Sequence, residues 1–284
     1  MRIGIGLPNP VPDTPGHVLI DWARSAEERG FSSLATIDRI AYPSYESIVA
    51  LTAAAAVTQR IGLMTNVLLE PTRNPVLLAK EAASLDQVSA GRFTLGLSVG
   101  SRQDDYEAVE RPFSDRGKRF DQDLELMHRA WKGELVNGAL KPIGPTPTNG
   151  EKVPILMGGF NPKAIERTAR WAIGWTVGGA PPERGGPFAE QIRRAWKDAG
   201  REGDPLIVGL TYFGLAEDAP EKAMGYLGDY YGDMGRQIAQ WIPTTPERLR
   251  GTVKKFEEFG FDELFLDPTS NDLAEVDRAA DAVL

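Results

Sequence analysis

Short apolar runs alternate with longer segments of helical period along the whole chain, and this alternation limits the possible folds more than any other feature. The runs are apolar at successive positions, as expected for strands that are buried on both faces. Parallel sheets join such strands through crossover helices. Eight runs occur, at residues 3–7, 33–37, 61–68, 93–98, 154–157, 175–177, 206–215 and 264–267. Eight strand-helix units in 284 residues predict an α/β protein, a single (β/α)8 TIM barrel.

The junctions between predicted helices and strands support this fold. Gly30, Gly91, Gly174 and Gly260 each follow a helical segment and are followed closely by an aromatic residue. Glycine adopts the left-handed conformation that ends a helix without steric cost. A doubly wound open sheet is the alternative, but it normally carries a glycine-rich phosphate turn after its first strand, where this chain has the proline-rich residues 8–12. Gly4 and Gly6 lie inside the first strand and are expected to make room for neighbouring side chains.

The chain is predicted to form one domain over residues 1–284, with an excursion rich in glycine and proline at about 133–152. The first residues show no secretory signal, and no apolar run reaches the roughly 18 residues that span a bilayer. We therefore expect a cytoplasmic protein with no membrane partner. The formal net charge of −8 repels a phosphate backbone, so nucleic acid is not expected as a partner either.

Composition removes several kinds of active site. The chain has no cysteine, which excludes a cysteine nucleophile and a thiolate zinc site, and its two histidines, His17 and His128, cannot form a three-histidine metal site. His128 lies at the edge of an amphipathic helical stripe and is interpreted as structural. In a barrel, the residues that directly follow the strands form the active site. Those residues include no metal-like cluster, which favours chemistry performed by a bound organic cofactor.

Two groups of residues after strands are candidates for binding or catalysis. Gly158 and Gly159 end one strand just before a helix, so their turn is either an anion site or a plain tight turn. Asp38 and Arg39 follow the second strand, with Tyr42 close behind. These charges either bind an anionic group and orient a reactant, or form a rim ion pair of little energetic value. The residues at 104 and 105, both aspartate, are expected to be solvated surface.

Residues 66–100, from Asn66-Val-Leu-Leu-Glu-Pro-Thr-Arg-Asn-Pro to Phe-Thr-Leu-Gly-Leu-Ser-Val-Gly100, resemble the signature of the bacterial luciferase-like superfamily of flavin-dependent oxidoreductases. The strand ending at Asp38, the helix at 116–131 and the segment Val153-Pro-Ile-Leu-Met-Gly-Gly159 are similar too, with weaker support after about residue 185. The resemblance implies a (β/α)8 barrel that binds reduced FMN or coenzyme F420. It also implies either oxygen-dependent monooxygenation or hydride transfer.

The resemblance assigns roles to individual positions. It places Asn66 and Val67 beneath the cofactor ring, with a non-proline cis peptide between them. It assigns the cofactor phosphate to the loop formed by Gly158, Gly159 and Phe160. It also assigns Ser98, Gly100 and Ser101 to the turn after the fourth strand that borders the cofactor.

The chain departs from the family at Arg39, where many members carry histidine. A guanidinium hardly exchanges a proton near neutral pH, so Arg39 is expected to attract an anionic substrate or to stabilise negative charge, with Asp38 and Tyr42 beside it.

The leading hypothesis is a luciferase-like monooxygenase that uses reduced FMN on a small organic substrate. The alternatives are an F420-dependent hydride-transfer enzyme and a non-catalytic flavin-binding protein on the same barrel. A phosphate-binding lyase or isomerase would need a catalytic lysine or paired carboxylates after the strands, and neither is clearly placed. The family resemblance suggests a homodimer and a separate flavin reductase as partner.

Overall fold

The computed structural model describes residues 1–284 and contains nine parallel strands that close into a barrel. The strands are β1 (Arg2–Gly6), β2 (Ser33–Thr36), β3 (Gly62–Thr65), β4 (Leu68–Leu69), β5 (Phe93–Ser98), β6 (Ile155–Gly158), β7 (Gly174–Thr176), β8 (Leu206–Phe213) and β9 (Glu263–Pro268). β3 and β4 do not pair with each other but both pair with β5, β9 pairs with β1, and every other strand pairs with its neighbours in chain order. Because β3 and β4 together occupy one position, the barrel has eight strand positions, which confirms the predicted fold.

The third predicted strand is interrupted where the sequence predicts one strand over 61–68. The peptide bond between Asn66 and Val67 is cis, as predicted, and it separates β3 from β4. Here the carbonyl oxygen of Thr65 approaches the backbone of Gly96 so closely that a Cβ on Gly96 would lie 1.8 Å from it. Glycine at position 96 therefore allows β5 to pair with both halves of the interrupted strand.

Eleven α-helices surround the barrel. They are α1 (Gly16–Arg29), α2 (Ser47–Val57), α3 (Pro75–Val88), α4 (Gln103–Glu107), α5 (Arg116–Trp131), α6 (Pro162–Trp171), α7 (Pro182–Asp198), α8 (Ala219–Tyr231), α9 (Asp233–Trp241), α10 (Pro246–Glu258) and α11 (Ala274–Val283). The sequence predicts two helices within 221–259, and the structure has three, because Gly232 separates α8 from α9. None of the eleven combines the length and the apolar character that crossing a membrane requires.

The hydrophobic core has an inner and an outer part. A small cluster fills the barrel interior and consists of Ala35, Met64, Leu156, Val208 and Phe265, whereas the larger cluster packs between the strands and the surrounding helices. Gly4 and Gly6 make room inside the barrel, as predicted. A Cβ on Gly4 would lie 2.5 Å from the Phe265 ring, and one on Gly6 would lie 2.2 Å from the Asp267 carboxyl.

Three of the four predicted helix-ending glycines have the left-handed conformation. Gly30, Gly91 and Gly260 have φ angles of 91°, 83° and 73°. The prediction is wrong for Gly174, which lies inside β7. A Cβ there would lie 2.0 Å from the carbonyl oxygen of Leu206, so this glycine serves the close pairing of β7 with β8.

The excursion at 133–152 contains no helix or strand and runs from the end of α5 to the start of β6. Asp86 of α3 anchors it, because its carboxylate accepts hydrogen bonds from the amide and the hydroxyl of Thr148 at 2.7 and 2.8 Å. Since the excursion leads into the amino end of β6, it lies at the end of the barrel opposite the carboxyl ends of the strands.

Candidate active site

The carboxyl ends of the strands form one end of the barrel, which we call the mouth. At the end of β6, residues 158–163 form a turn into α6, which we call the amide turn. Gly159 has a φ of +116°, and the side chain of Asn161 caps α6 by accepting a hydrogen bond from the Ala164 amide at 3.0 Å. The amides of Gly159, Phe160, Asn161 and Lys163 donate to no acceptor of the protein. Four free donors at the positive end of a helix form a site suited to an anion.

Several residues assigned to the cofactor by resemblance meet at this turn. A Cβ on Gly158 would lie 3.3 Å from Cβ of Ser98 and 3.4 Å from the Val67 methyl groups, so Val67 and Ser98 border the turn directly. Gly100 has a φ of +67° and begins the neighbouring turn, in which Ser101 is exposed. The structure thus brings the ends of β4, β5 and β6 together, as the resemblance implies.

Phe160, the remaining residue of the predicted phosphate loop, is half-buried. Its ring packs against Trp175 and Phe188 at centroid distances of 5.3 and 5.2 Å, and the Trp175 indole donates to the carbonyl of Gly159 at 2.9 Å. The aromatic contacts anchor the loop. The Phe160 backbone faces any ligand through its amide, while its side chain supports the turn from behind.

Two arginines without a carboxylate partner flank the amide turn. The Arg116 guanidinium lies over the Phe113 ring and donates to the carbonyl of Gly100 at 3.4 Å. Arg184 is exposed and its guanidinium carbon lies 4.6 Å from the centroid of the Phe160 ring. Because neither cation forms an ion pair with a neighbouring acid, both add positive potential near the carboxyl ends of β5 and β6.

Asn66 points its side chain into the barrel beneath the mouth. Its Oδ1 accepts a hydrogen bond from the Thr176 hydroxyl at 2.8 Å, whereas its buried Nδ2 has no acceptor. The Thr36 hydroxyl and Oδ1 of Asp267 are also buried without a partner. Buried polar atoms are normally hydrogen-bonded, so such orphan atoms at the ends of three strands indicate a place where a ligand or water supplies the missing partners.

Asp38 has a full set of protein partners. Its carboxylate forms a bidentate ion pair with Arg73, at 2.8 and 3.0 Å, and accepts a third hydrogen bond from the Leu69 amide at 2.9 Å. Burial alone would lower the pKa of Arg73, but the charge and hydrogen bonds of Asp38, with help from Glu46, raise that pKa above its ordinary value. These contacts favour a structural role for Asp38, whose catalytic role stays a prediction.

Arg39 is nearly buried and does not pair with Asp38. It donates to Asp104 at 2.6 Å and to the carbonyl of Tyr230 at 3.2 Å, and its Nε lies 3.6 Å from Asp105. The expectation that Asp105 is solvated is wrong, because this side chain is buried and accepts from the amides of residues 40 and 41 at 2.9 and 2.8 Å. With these partners, Arg39 has little guanidinium surface left for an anionic substrate.

Tyr42 joins a cluster of aromatic side chains on the same side of the mouth. Its hydroxyl donates to Asp229 at 2.7 Å, its ring meets Tyr230 edge-on, and the guanidinium of Arg39 lies 5.3 Å from the ring centroid. Burial, followed by the hydrogen bond and charge of Asp229, raises the pKa of Tyr42 well above its ordinary value. The phenol is therefore a neutral group at physiological pH.

Strand β8 supplies one further tyrosine of this cluster, and helix α8 supplies the other three, which sequence reasoning missed. We call it the tyrosine cluster, and its members are Tyr42, Tyr212, Tyr226, Tyr230 and Tyr231. The hydroxyls of Tyr212 and Tyr231 lie 2.6 Å apart, and the Arg102 guanidinium lies within 5.0 Å of two of the rings. The spacing of four between Tyr226 and Tyr230 on one helix face was the available signal.

Asp267 is the second group that sequence reasoning left without a role. It is the cross-strand neighbour of Tyr212 in the register of β8 and β9, and its carboxyl forms no hydrogen bond or ion pair. Burial raises its pKa from 3.8 to about 8. Asp267 is therefore a protonated, neutral acid near pH 7 at the edge of the tyrosine cluster.

His128 lies on α5, away from the mouth. Its Nδ1 bonds with the carbonyl of Leu124 at 2.8 Å, and its ring packs against Trp131 and Trp171. Burial lowers the pKa of His128, so the ring is a neutral packing group. The interpretation of His128 as structural agrees with this position.

Comparisons with known proteins agree with the fold. A family model described as luciferase-like monooxygenase matches residues 1–275. An uncharacterized protein of Mycobacterium tuberculosis is 32% identical over 232 residues, which cover 72% of this chain and 80% of the relative.

Solved structures share the architecture at lower identity. A monooxygenase from Streptomyces bottropensis superposes with a TM-score of 0.81 at 24% identity, over 99% of this chain and 97% of the other. An F420-dependent secondary alcohol dehydrogenase, in complex with an F420-acetone adduct, has a TM-score of 0.81 at 16% identity, over 99% and 98%.

Proposed function

The chain belongs to the luciferase-like monooxygenase family, and from this premise we propose that it binds reduced FMN across the mouth and oxygenates a small organic substrate. In the proposed reaction, one oxygen atom of dioxygen enters the substrate and the other leaves as water. This reaction needs a two-electron reductant besides the substrate, and bound reduced FMN would be that reductant. The bound ring supplies this redox chemistry, and the protein holds the cofactor and the substrate.

The free amides of the amide turn are the observation that carries the proposal. Four backbone donors, with Arg184 beside them, can meet the three terminal oxygens of a phosphate monoester such as that of FMN. Arg116 adds positive charge on the other side, next to Gly100. The absence of a side chain at Gly158 and Gly159 leaves the amides open to a phosphate.

The residues between the amide turn and the tyrosine cluster fit a flat ring with hydrogen-bonding edges. Val67 offers an apolar, half-exposed surface beside Ser98, and Asn66 has a donor without an acceptor. In our proposal, the Asn66 amide group and the neighbouring orphan hydroxyl of Thr36 complete their hydrogen bonds with polar atoms of the ring. The tyrosine cluster, in turn, excludes water from one side of the mouth.

F420-dependent hydride transfer is the second candidate function. A relative with a named activity supports it, the 5,10-methylenetetrahydromethanopterin reductase of Methanolobus tindarius, which is 27% identical over 74% of this chain and 65% of its own length. F420 also presents a phosphate and a flat ring, so the same residues would hold it. In this case, a hydride would pass between the cofactor and an organic substrate, without dioxygen.

The proposed function also involves a partner protein, an oligomeric state and a cellular location. A separate flavin reductase would supply the reduced FMN. We further propose that the protein is a homodimer and works in the cytoplasm. Size-exclusion chromatography with light scattering tests the homodimer directly.

Replacing Arg184 by glutamine tests the phosphate site. We expect Arg184→Gln to weaken FMN binding about tenfold, because it removes a charge-assisted contact to the phosphate from an exposed position. Riboflavin lacks the phosphate, so its affinity should stay unchanged. Quenching of flavin fluorescence measures both dissociation constants, and a parallel titration with F420 compares the two cofactors.

Arg194→Gln is the matched control. Arg194 is exposed on the same helix, α7, ten residues further along, so its loss changes the net charge equally at a distance of about 15 Å. An equal loss of FMN affinity in both variants would remove Arg184 from the site. If neither FMN nor F420 binds to the unmodified protein at micromolar concentration, the proposed function is wrong.

A further inference from the structure

A cavity of about 510 Å³ opens beside the mouth, between the ends of β7 and β8 and the helices α9 and α10. Sites for small organic ligands commonly have volumes of about 300–1,000 Å³. The cavity lies one strand beyond the amide turn, since β7 stands between β6 and β8 in the barrel. The residues assigned so far to the cofactor do not line it.

The walls of the cavity are mainly apolar and partly aromatic. The principal side chains are Leu210, Tyr212, Met234, Ile238, Trp241 and Phe256. Trp241 lines the cavity although it is 79% exposed, and Met234 is 57% exposed. Large apolar side chains that border a concave site and lack a protein partner indicate a surface that an apolar ligand covers.

The cavity offers no free charge to a ligand. Its two ionisable residues other than Tyr212, namely Lys255 and Glu183, lie 3.4 Å apart and neutralise each other. Its remaining polar groups, such as those of Gln237 and Thr252, are neutral hydrogen-bonding groups. A ligand with a net charge would therefore lose hydration without gaining an ionic partner.

The cavity also borders the mouth. Gly179 follows β7, and a Cβ on it would lie 3.6 Å from the Tyr212 ring and 3.7 Å from Leu210. Both side chains also belong to the cluster that packs over the barrel interior together with Tyr226 and Tyr230. Tyr212 therefore forms the boundary between the cavity and the tyrosine cluster.

We infer that this cavity is the substrate site and that it takes a neutral, largely apolar ring compound, with Trp241 as its main contact. This inference rests on the proposed function, because it names the substrate class of the same active site. It makes Ile238 and Trp241 of α9 the residues that determine specificity. It also replaces the expectation that an anionic substrate is drawn to Arg39.

Equilibrium dialysis with 2-naphthol tests the inference on the full chain without cofactor. The probe is neutral and has two fused rings and one hydroxyl. We expect binding at micromolar concentration, at least about fivefold weaker binding in Trp241→Ala, and a similar loss in Ile238→Trp, which fills the cavity. Naphthalene-2-sulfonate, the charged counterpart, should bind at least about tenfold more weakly, since the cavity has no free cation.

Leu140→Ala is the control variant, because Leu140 is 95% exposed in the excursion at the opposite end of the barrel. Its affinity for 2-naphthol should equal that of the unmodified protein. Equal losses in Leu140→Ala and Trp241→Ala, or no binding at all, would overturn the inference, as would tighter binding of the sulfonate.

Titrations of the same variants with FMN and F420 separate the two proposals. If a cofactor binds and 2-naphthol does not, the cavity inference is wrong while the proposed function stands. If 2-naphthol binds with the expected losses but neither cofactor binds, the cavity is a ligand site of a protein with another function.

Discussion

Replacing Asp38 by alanine is expected to lower the free energy of unfolding by about 3 kcal/mol. The Asp38 carboxylate is almost fully buried and holds Arg73 through two hydrogen bonds, so its removal leaves a largely buried guanidinium with only Glu46 as ionic partner. The Leu69 amide loses its acceptor as well. Urea unfolding at pH 7 measures the change, provided that the slope of free energy against urea is equal in both proteins.

Asp104→Ala is the matched control for this prediction. Asp104 also pairs with an arginine after β2, Arg39, but its own side chain is 53% exposed, and Arg39 keeps the nearby Asp105. We expect a loss below about 1 kcal/mol, as is usual for exposed ion pairs. If Asp38→Ala unfolds at the same urea concentration as the unmodified protein, the ion pair is not structural and the catalytic interpretation of Asp38 regains weight.

Replacing Asp267 by asparagine is expected to change how stability depends on pH. In the folded protein, burial raises the pKa of Asp267 from 3.8 to about 8, so the folded state keeps a proton that the unfolded chain releases above about pH 4. The stability that this group contributes is therefore complete below pH 4 and is lost as the pH rises to about 8. The loss amounts to roughly 6 kcal/mol, at about 1.4 kcal/mol per pH unit.

Asparagine does not titrate, so the variant escapes this loss. The free energy of unfolding of Asp267→Asn, minus that of the unmodified protein, should therefore rise steadily from pH 4 to pH 8. At pH 4 the variant should be less stable by about 1–3 kcal/mol, because the buried asparagine amide carries two hydrogens without an acceptor where the neutral carboxylic acid carries one. Urea unfolding at five pH values gives the difference. Other titrating groups, including Glu70, whose pKa is raised mainly by burial, are present in both proteins and cancel.

The tyrosines that surround Asp267 do not disturb this measurement. Burial raises the pKa of Tyr212, Tyr226 and Tyr231 above the ordinary value of 10, so all three stay neutral between pH 4 and 8. A difference between variant and unmodified protein that does not vary with pH would show that water reaches Asp267. If the difference in stability varies with pH as expected, the pKa of Asp267 is raised, and Asp267 is a neutral hydrogen-bond donor beside Tyr212 at the boundary of the cavity.

The sequence was sufficient to predict the barrel and the amide turn, because both depend on local patterns. Successive apolar positions mark buried strands wherever they occur, and Gly158-Gly159 before Asn161-Pro162 is a local combination that opens a turn and starts a helix. The cis peptide after Asn66 followed from resemblance over a continuous segment. The interruption of the third strand could not be predicted from sequence, since it depends on the close approach of Thr65 in β3 to Gly96 in β5.

Only the tertiary structure decided the partners of the charged residues. Asp38 and Arg39 are adjacent in sequence, yet one pairs with Arg73, 35 residues away, and the other with Asp104 and the carbonyl of Tyr230, 65 and 191 residues away. Side-chain pairing depends on which loops the closed barrel brings to its mouth, and adjacency in sequence carries no information about that. For the same reason, the sequence alone determined the fold and the amide turn, whereas the packing of α8 and α9 over the mouth decided where the tyrosine cluster and the cavity lie.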